Sequence, residues 1–301
     1  MAALPQAPSP TLPRRWLALD VIAFSFVGAT VLVVLLHINR VARAPLVVAG
    51  HLALLLLYGL LRWGSALRPA LRTAFIVYLF AFVLAIFQAM GLIIPPVRGG
   101  VRMDGALADL DVRLFGSDPT RWLEPFLNRW TTLVLEICYS SYFFLPVILT
   151  TLVLARRRYA EFLSYAATIV GCFFTTYVGY YLVPALGPRA HVVYEEPVPF
   201  GAVARAIYDT IDRLDLIKLN AFPSGHTAVS LVCLAILWRE EPRVGRLCAP
   251  LVLGLIVATV ALRYHYLIDV VAGVLVALLW VPFGMRLAFR FDRRRGGASG
   301  A

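Results

Sequence analysis

Five histidines occur in the chain, and two stand in settings that can do chemistry. His226 lies in Phe222-Pro223-Ser224-Gly225-His226-Thr227, directly before an apolar run. Pro, Ser, Gly and Thr in that place read as a helix start. The unpaired N–H groups of a helix N-terminus attract anions, and the helix dipole reinforces them. Gly225 lets an anion approach the backbone closely. The segment is therefore either an ordinary N-cap with an interfacial histidine or an anion site with an acid–base group beside it. His265 lies in Arg263-Tyr264-His265-Tyr266-Leu267-Ile268-Asp269. On a helix, His265 and Asp269 share a face and can touch. A carboxylate bonded to one ring nitrogen fixes the tautomer and leaves the other nitrogen as nucleophile or base. The same pair would also serve to tie two helices together.

The elements that must position these residues are membrane helices. The chain has 301 residues, 60% hydrophobic and 15% charged, with a mean hydropathy of +0.80. A soluble domain is about a quarter charged. A bilayer core about 30 Å thick needs roughly 20 apolar residues per helix. Eight candidate spans recur along the sequence: Asp20–Ile38, Leu46–Leu61, Thr73–Ile94, Leu133–Leu154, Phe162–Pro184, His226–Trp238, Cys248–Leu262 and Tyr266–Leu287. The expected fold is an all-α polytopic membrane protein with about eight transmembrane helices. Its core bundle carries the site at one membrane face. Cys138, Cys172, Cys233 and Cys248 fall in or beside apolar runs without metal-type spacing and read as small hydrophobes.

The division expected along the chain is a disordered cytoplasmic N-terminus over 1–19, N-terminal helices with an outer loop over 20–132, a catalytic helical core over 133–288 and a disordered basic tail over 289–301. The first dozen residues carry no positive charge and do not resemble a cleaved signal peptide. Eight spans put both termini on one side. That side holds 16 arginines, among them Arg62, Arg156, Arg239 and Arg290, against the five acids Asp20, Glu161, Glu240, Glu241 and Asp292. The other side is balanced. Positive loops stay in the cytoplasm, so the termini are expected inside an inner or plasma membrane and the two long loops outside. The net charge of +11 is thereby read as topology rather than as nucleic-acid binding.

This topology brings the chemistry together. The fifth candidate ends, the sixth starts, the seventh ends and the eighth starts on the same outer face. Arg189, Ser224, His226, His265 and Asp269 all reach it. A phosphoryl transition state spreads negative charge over equatorial oxygens and needs nucleophile and leaving group in line. His265, oriented by Asp269, is the candidate nucleophile, and His226 the candidate general acid. Arg189 and the backbone amides of Ser224 and Gly225 are the candidate phosphate-binding groups. No metal or other cofactor is needed for this chemistry. Two histidines and a carboxylate can also bind zinc, but that leaves the helix-start cradle without a role.

These residues resemble the type 2 phosphatidic acid phosphatase superfamily of membrane lipid phosphatases and phosphotransferases. Pro223-Ser224-Gly225-His226 matches its second motif, and His265-Tyr266-Leu267-Ile268-Asp269 with Gly273 matches the core of its third. The matching core runs from Tyr180 to Pro282. The resemblance implies a phosphohistidine on His265, Asp269 as its partner and His226 as acid. It departs in two places. Gly187-Pro188-Arg189 reverses the Arg-Pro order of the first motif and has no lysine upstream. Thr259 stands where the third motif has an arginine, with Arg263 as a second candidate clamp. The His-Tyr-x-x-Asp form, the altered first motif and Phe115-Gly116-Ser117-Asp118-Pro119 are most similar to the branch containing inositol phosphorylceramide synthase. That branch implies head-group transfer between lipids rather than plain hydrolysis.

The expected partners are a membrane phospholipid or polyprenyl phosphate and a possible lipid alcohol acceptor. Two other function classes compete. A polyprenyl-linked glycosyltransferase would use outer acids, either Asp104, Asp109 and Asp111 or Asp209, Asp212 and Asp215. A transporter or scaffold would carry charges near mid-membrane, where Glu136 is the main further acid. Neither accounts for His226 and His265.

Overall fold

The computed structural model describes residues 16–215 and 217–290. Most of the expected disordered ends, 1–15 and 291–301, lie outside the described residues. Among those described, the chain is all-helical. Continuous apolar runs give α1 (Ala18–Leu36), α2 (Ala44–Leu67) and α3 (Ala70–Val97). Two short helices follow, α4 (Asp104–Phe115) and the single turn α5 (Pro119–Trp122). The core comprises α6 (Arg129–Ser140), α7 (Leu145–Ala155), α8 (Tyr159–Leu182), the amphipathic helix α9 (Ala202–Leu214), α10 (Gly225–Glu240), α11 (Pro242–Ala261) and α12 (Leu267–Leu279). The last helix continues through a π turn at Trp280–Gly284, where Pro282 removes an N–H from the ladder.

Six helices among the described residues are long and apolar enough to cross a membrane. A seventh arises if α6 and α7 form one span, but they meet at a 46° bend. The expected single helix Leu133–Leu154 is therefore broken. Pro146 in the first turn of α7 cannot donate to a preceding carbonyl and crowds it. The sixth expected span is α10. Its 16 residues reach about 24 Å at 1.5 Å per residue, less than the bilayer core.

Helix α8 is the axis of the bundle: 72% of its apolar window is buried, against 22–44% in the other five candidates. It touches α1, α3, α7, α10 and α12. Close approach needs small residues. A Cβ at Gly171 would stand 2.0 Å from the Trp280 ring, and one at Gly179 2.1 Å from Pro223. Arg62, expected among the cytoplasmic loop charges, is instead fully buried, with Nε 3.1 Å from Asp20 Oδ1. Tyr58 donates to the same carboxylate at 2.9 Å. One charge of each sign leaves the loop balance together, so the basic excess on that side is unchanged. All four cysteines are buried and free.

Candidate active site

Three short connections meet where α8 ends, α10 starts, and α11 passes into α12. Main-chain hydrogen bonds lace them. Ala221 N–H donates to Ala185 O at 3.1 Å, Arg189 N–H to Arg263 O at 3.1 Å and Ser224 N–H to Asp269 O at 2.9 Å. Gly187 permits the tightest of these approaches. Its φ is +92°, and a Cβ there would stand 2.2 Å from Tyr264 O. Gly273 seats α12 against the start of α10, because a Cβ would lie 2.5 Å from Ser224 O.

His265 does not sit on α12 as its spacing from Asp269 suggested. The helix begins at Leu267, because Asp269 Oδ2 accepts the Tyr266 N–H at 2.8 Å and caps it there. His265 lies in the turn before, with its backbone N–H on Thr259 O at 2.9 Å. Its Nδ1 is 2.7 Å from Ala221 O, whereas Asp269 Oδ2 is 3.5 Å away. A carbonyl only accepts, so Nδ1 carries the proton and Nε2 keeps the lone pair. The tautomer is thus set first by the backbone and only second by the carboxylate. Burial pushes the His265 pKa down to about 4; the Ala221 bond opposes this and the Arg189 charge adds to it. At pH 7 such a ring is neutral, the form that keeps a lone pair on Nε2.

His226 opens α10, which Ser224 caps by accepting the Thr227 N–H at 3.3 Å. The His226 ring stacks on Tyr139 at 4.4 Å between centroids and lies 4.3 Å from Tyr142. It is 5.7 Å from the His265 ring. Tyr139 in turn stacks on Tyr264 at 4.2 Å, and Tyr264 donates to the buried Glu136 at 3.0 Å. Arg189 lies over the Tyr264 ring at 4.8 Å, with Nη2 3.4 Å from Asp212 Oδ1. Arg189, His226 and His265 line one cavity of about 20 Å³ together with Asp212, Asp215, Asn220 and the two stacked tyrosines. That is space for about one water.

The remaining sequence candidates are placed elsewhere. Ser224 and Gly225 do not line the cavity. The Ser224 N–H is taken by Asp269 O, and a Cβ at Gly225 would meet the Tyr180 hydroxyl at 2.4 Å. Arg263 is turned away. Its positive φ of 65° sends the side chain outward, onto Glu196 O at 3.0 Å and Glu124 at 2.9 Å, with the guanidinium 3.6 Å over Tyr194. It belongs to the scaffold of the loops around Glu124 and Glu196 rather than to the cavity.

Two supports of the site are acids of α4. Asp104 Oδ1 accepts the N–H groups of Leu186 and Gly187 at 2.9 and 3.0 Å. Asp111 accepts those of Leu267 and Ile268, both at 2.8 Å. Both are buried, while Asp109 faces out. The sequence offered one signal: the seven-residue spacing of Asp104 and Asp111 puts both on one helix face. Asp212 and Asp215 carried one as well, their three-residue spacing with Asp209, whereas Asn220 gave none beyond its polarity.

The fold and the cavity together define a membrane-embedded helical protein with a histidine pair and an arginine at one end of its bundle. A family model of the PAP2 superfamily matches residues 106–283, more than half of the chain, and the chain belongs to that superfamily. Membership suggests activity of the phosphatase or phosphotransferase type. Comparison with curated proteins and with solved structures finds no match.

Proposed function

We propose that this protein is a polytopic membrane enzyme that moves a phosphoryl group on a lipid through a phosphohistidine on His265. The observation that carries the reading is the 2.7 Å bond from His265 Nδ1 to Ala221 O, which leaves the lone pair on Nε2 of a ring that lines one cavity with His226 and Arg189. In the first half-reaction His265 Nε2 attacks phosphorus. The ester P–O bond breaks, and His226 gives its proton to the departing lipid alkoxide. Arg189 holds the equatorial oxygens. In the second half-reaction an acceptor hydroxyl attacks phosphorus, His226 takes its proton, and the P–N bond breaks. No step is routed through a metal. The acceptor is a lipid alcohol, so the net reaction is head-group transfer. The altered first motif and the small cavity, with room for about one water, support this over plain hydrolysis. In the bilayer α10 serves as a recessed eighth span beside α6 and α7 paired as one. The termini are cytoplasmic and the cavity faces the outside. A glycosyltransferase reading has less to work with, since Asp104 and Asp111 are committed to main-chain amides.

The test is a panel of labelled phospholipids and polyprenyl phosphates given to purified protein with and without an acceptor lipid alcohol. A new phospholipid is the expected product, and release of free phosphate would replace transfer by hydrolysis. Turnover is expected to survive EDTA. Full activity in His265→Ala would overturn the mechanism.

A further inference from the structure

Lys218 is the only lysine in the chain. Its Nζ lies 2.8 Å from Asp212 Oδ1 and also donates to the Asp212 carbonyl oxygen. Arg189 Nη2 reaches the same Oδ1 at 3.4 Å. Two cations from different connections thus converge on one carboxylate oxygen at the wall of the cavity that His226 and His265 line. A guanidinium and an ammonium around one oxyanion are the donor set that suits a phosphate.

A phosphoryl group does not fit beside them as the cavity stands. Its volume is about 20 Å³, room for about one water. Part of the space is taken by α9, which contributes Ile211 and Asp212 to the wall, with Asp215 just beyond its end. This helix is thinly held: Ala204 is its only buried residue. Elements with few buried apolar contacts open at the lowest free energy.

From this we propose that the Asp212 carboxylate is an internal stand-in for the substrate phosphate. Arg189 and Lys218 form the phosphate seat, and a phosphorylated ligand binds by displacing Asp212 and lifting α9. One anion replaces another, so the two cations are never left bare in a partly buried site. The competing carboxylate lowers the apparent affinity of every incoming anion, because only the open fraction binds. Lys218 becomes a phosphate-binding residue supplied from the connection between α9 and α10. The proposal rests on the phosphoryl-transfer reading of the same cavity.

Because Lys218 is the only lysine, an amine-reactive reagent followed by peptide mapping reads its accessibility directly. The N-terminal amine is the internal control. The probe is inorganic phosphate, added to full-length protein in detergent micelles. Phosphate is expected to protect Lys218 from labelling. Asp212→Asn is expected to speed labelling without phosphate and to lower the half-protecting phosphate concentration about fivefold, the scale of a partly exposed ion pair. Asp209→Asn, on the same helix but off the seat, is expected to change neither. The proposal is overturned if phosphate fails to protect Lys218, or if Asp212→Asn leaves the half-protecting concentration unchanged or raises it. His265→Ala separates the two levels. It is expected to lose turnover and keep phosphate protection. If it kept turnover while Asp212→Asn still tightened phosphate, the mechanism would fall and the seat would stand.

Discussion

Replacing Asp111 tests whether α4 holds the proposed nucleophile in place. The Asp111 carboxylate accepts the first two N–H groups of α12, Leu267 and Ile268, at 2.8 Å each. These amides have no intrahelical partner, as at any helix start. Asp111→Ala leaves both unpaired, at about 1–3 kcal/mol each, or about 2–6 kcal/mol together. Both bonds are partly rather than wholly buried, so water can replace one partner and the lower half of that range applies. Asp111→Asn keeps one acceptor and costs about half as much. The body of α12 is still held by α10 and α8, so the damage stays in its first turn and in His265 two residues before it. A displacement of about 1 Å at a reacting atom costs on the order of a hundredfold in rate.

Asp111→Asn is therefore expected to slow phosphohistidine formation by about 10- to 100-fold while leaving substrate KM nearly unchanged, since Arg189 does not touch Asp111. The assay is rapid quench of the phosphoenzyme formed from a 32P-labelled phospholipid, paired with hydrogen exchange of the Leu267 and Ile268 amides. Faster exchange confined to that turn, together with slower phosphoenzyme formation, is the expected pair of results. Wild-type exchange and a wild-type rate in Asp111→Asn would refute the reasoning.

The pH dependence follows from His265. Burial holds its pKa at about 4, below the ordinary 6.5, so the acid limb of phosphoenzyme formation is expected near pH 4 rather than 6.5. In the same window the unfolded chain binds a proton that the folded chain does not. Stability is therefore fully present above pH 6.5 and falls as pH drops toward 4, which thermal melts across that range will read. Arg189→Gln is expected to lose about 10²–10³ in rate as an oxyanion-holding group. Arg263→Gln should instead lower the melting temperature, by a loss of about 1–3 kcal/mol, and leave phosphate protection of Lys218 unchanged. Gly187→Ala combines a φ of +92° with a Cβ 2.2 Å from a backbone oxygen. It is expected to lose folded yield or all turnover, measured by size-exclusion recovery and the lipid assay.

The meeting of His226, His265 and Arg189 was legible because hydropathy alone decides which helix ends share a face. The partner of His265 was not. Ala221 contributes a carbonyl that every residue carries, so nothing in its side chain marks it. The side chain of Arg263 was equally hidden, because its direction depends on a left-handed φ that an arginine does not advertise. The break between α6 and α7 was half legible. Pro146 is visible, but proline is tolerated in membrane helices when neighbours satisfy the freed carbonyls, and only packing decides between a kink and a 46° break. An acid in a loop reads the same whether it faces substrate, water or main-chain amides, so Asp104 and Asp111 were read only as acids a glycosyltransferase could use.

That last ambiguity has a physical resolution. Three connections lie at the end of an apolar bundle, and each of their buried N–H groups needs an acceptor. Asp104, Asp111 and Asp269 all spend carboxylate oxygens on such amides. This disperses their charge into backbone dipoles and lets three acids stand near an anion site without repelling its ligand fully. Asp269 keeps one buried oxygen without a hydrogen bond, while its other oxygen lies 3.5 Å from His265 Nδ1. In the proposed reaction, attack by Nε2 turns the imidazole into a cation. At that moment, and not before, a carboxylate at this distance gains Coulomb energy. On the proposed mechanism the roles divide accordingly: Ala221 sets the tautomer of the resting ring, and Asp269 stabilises the charge that appears when the ring reacts.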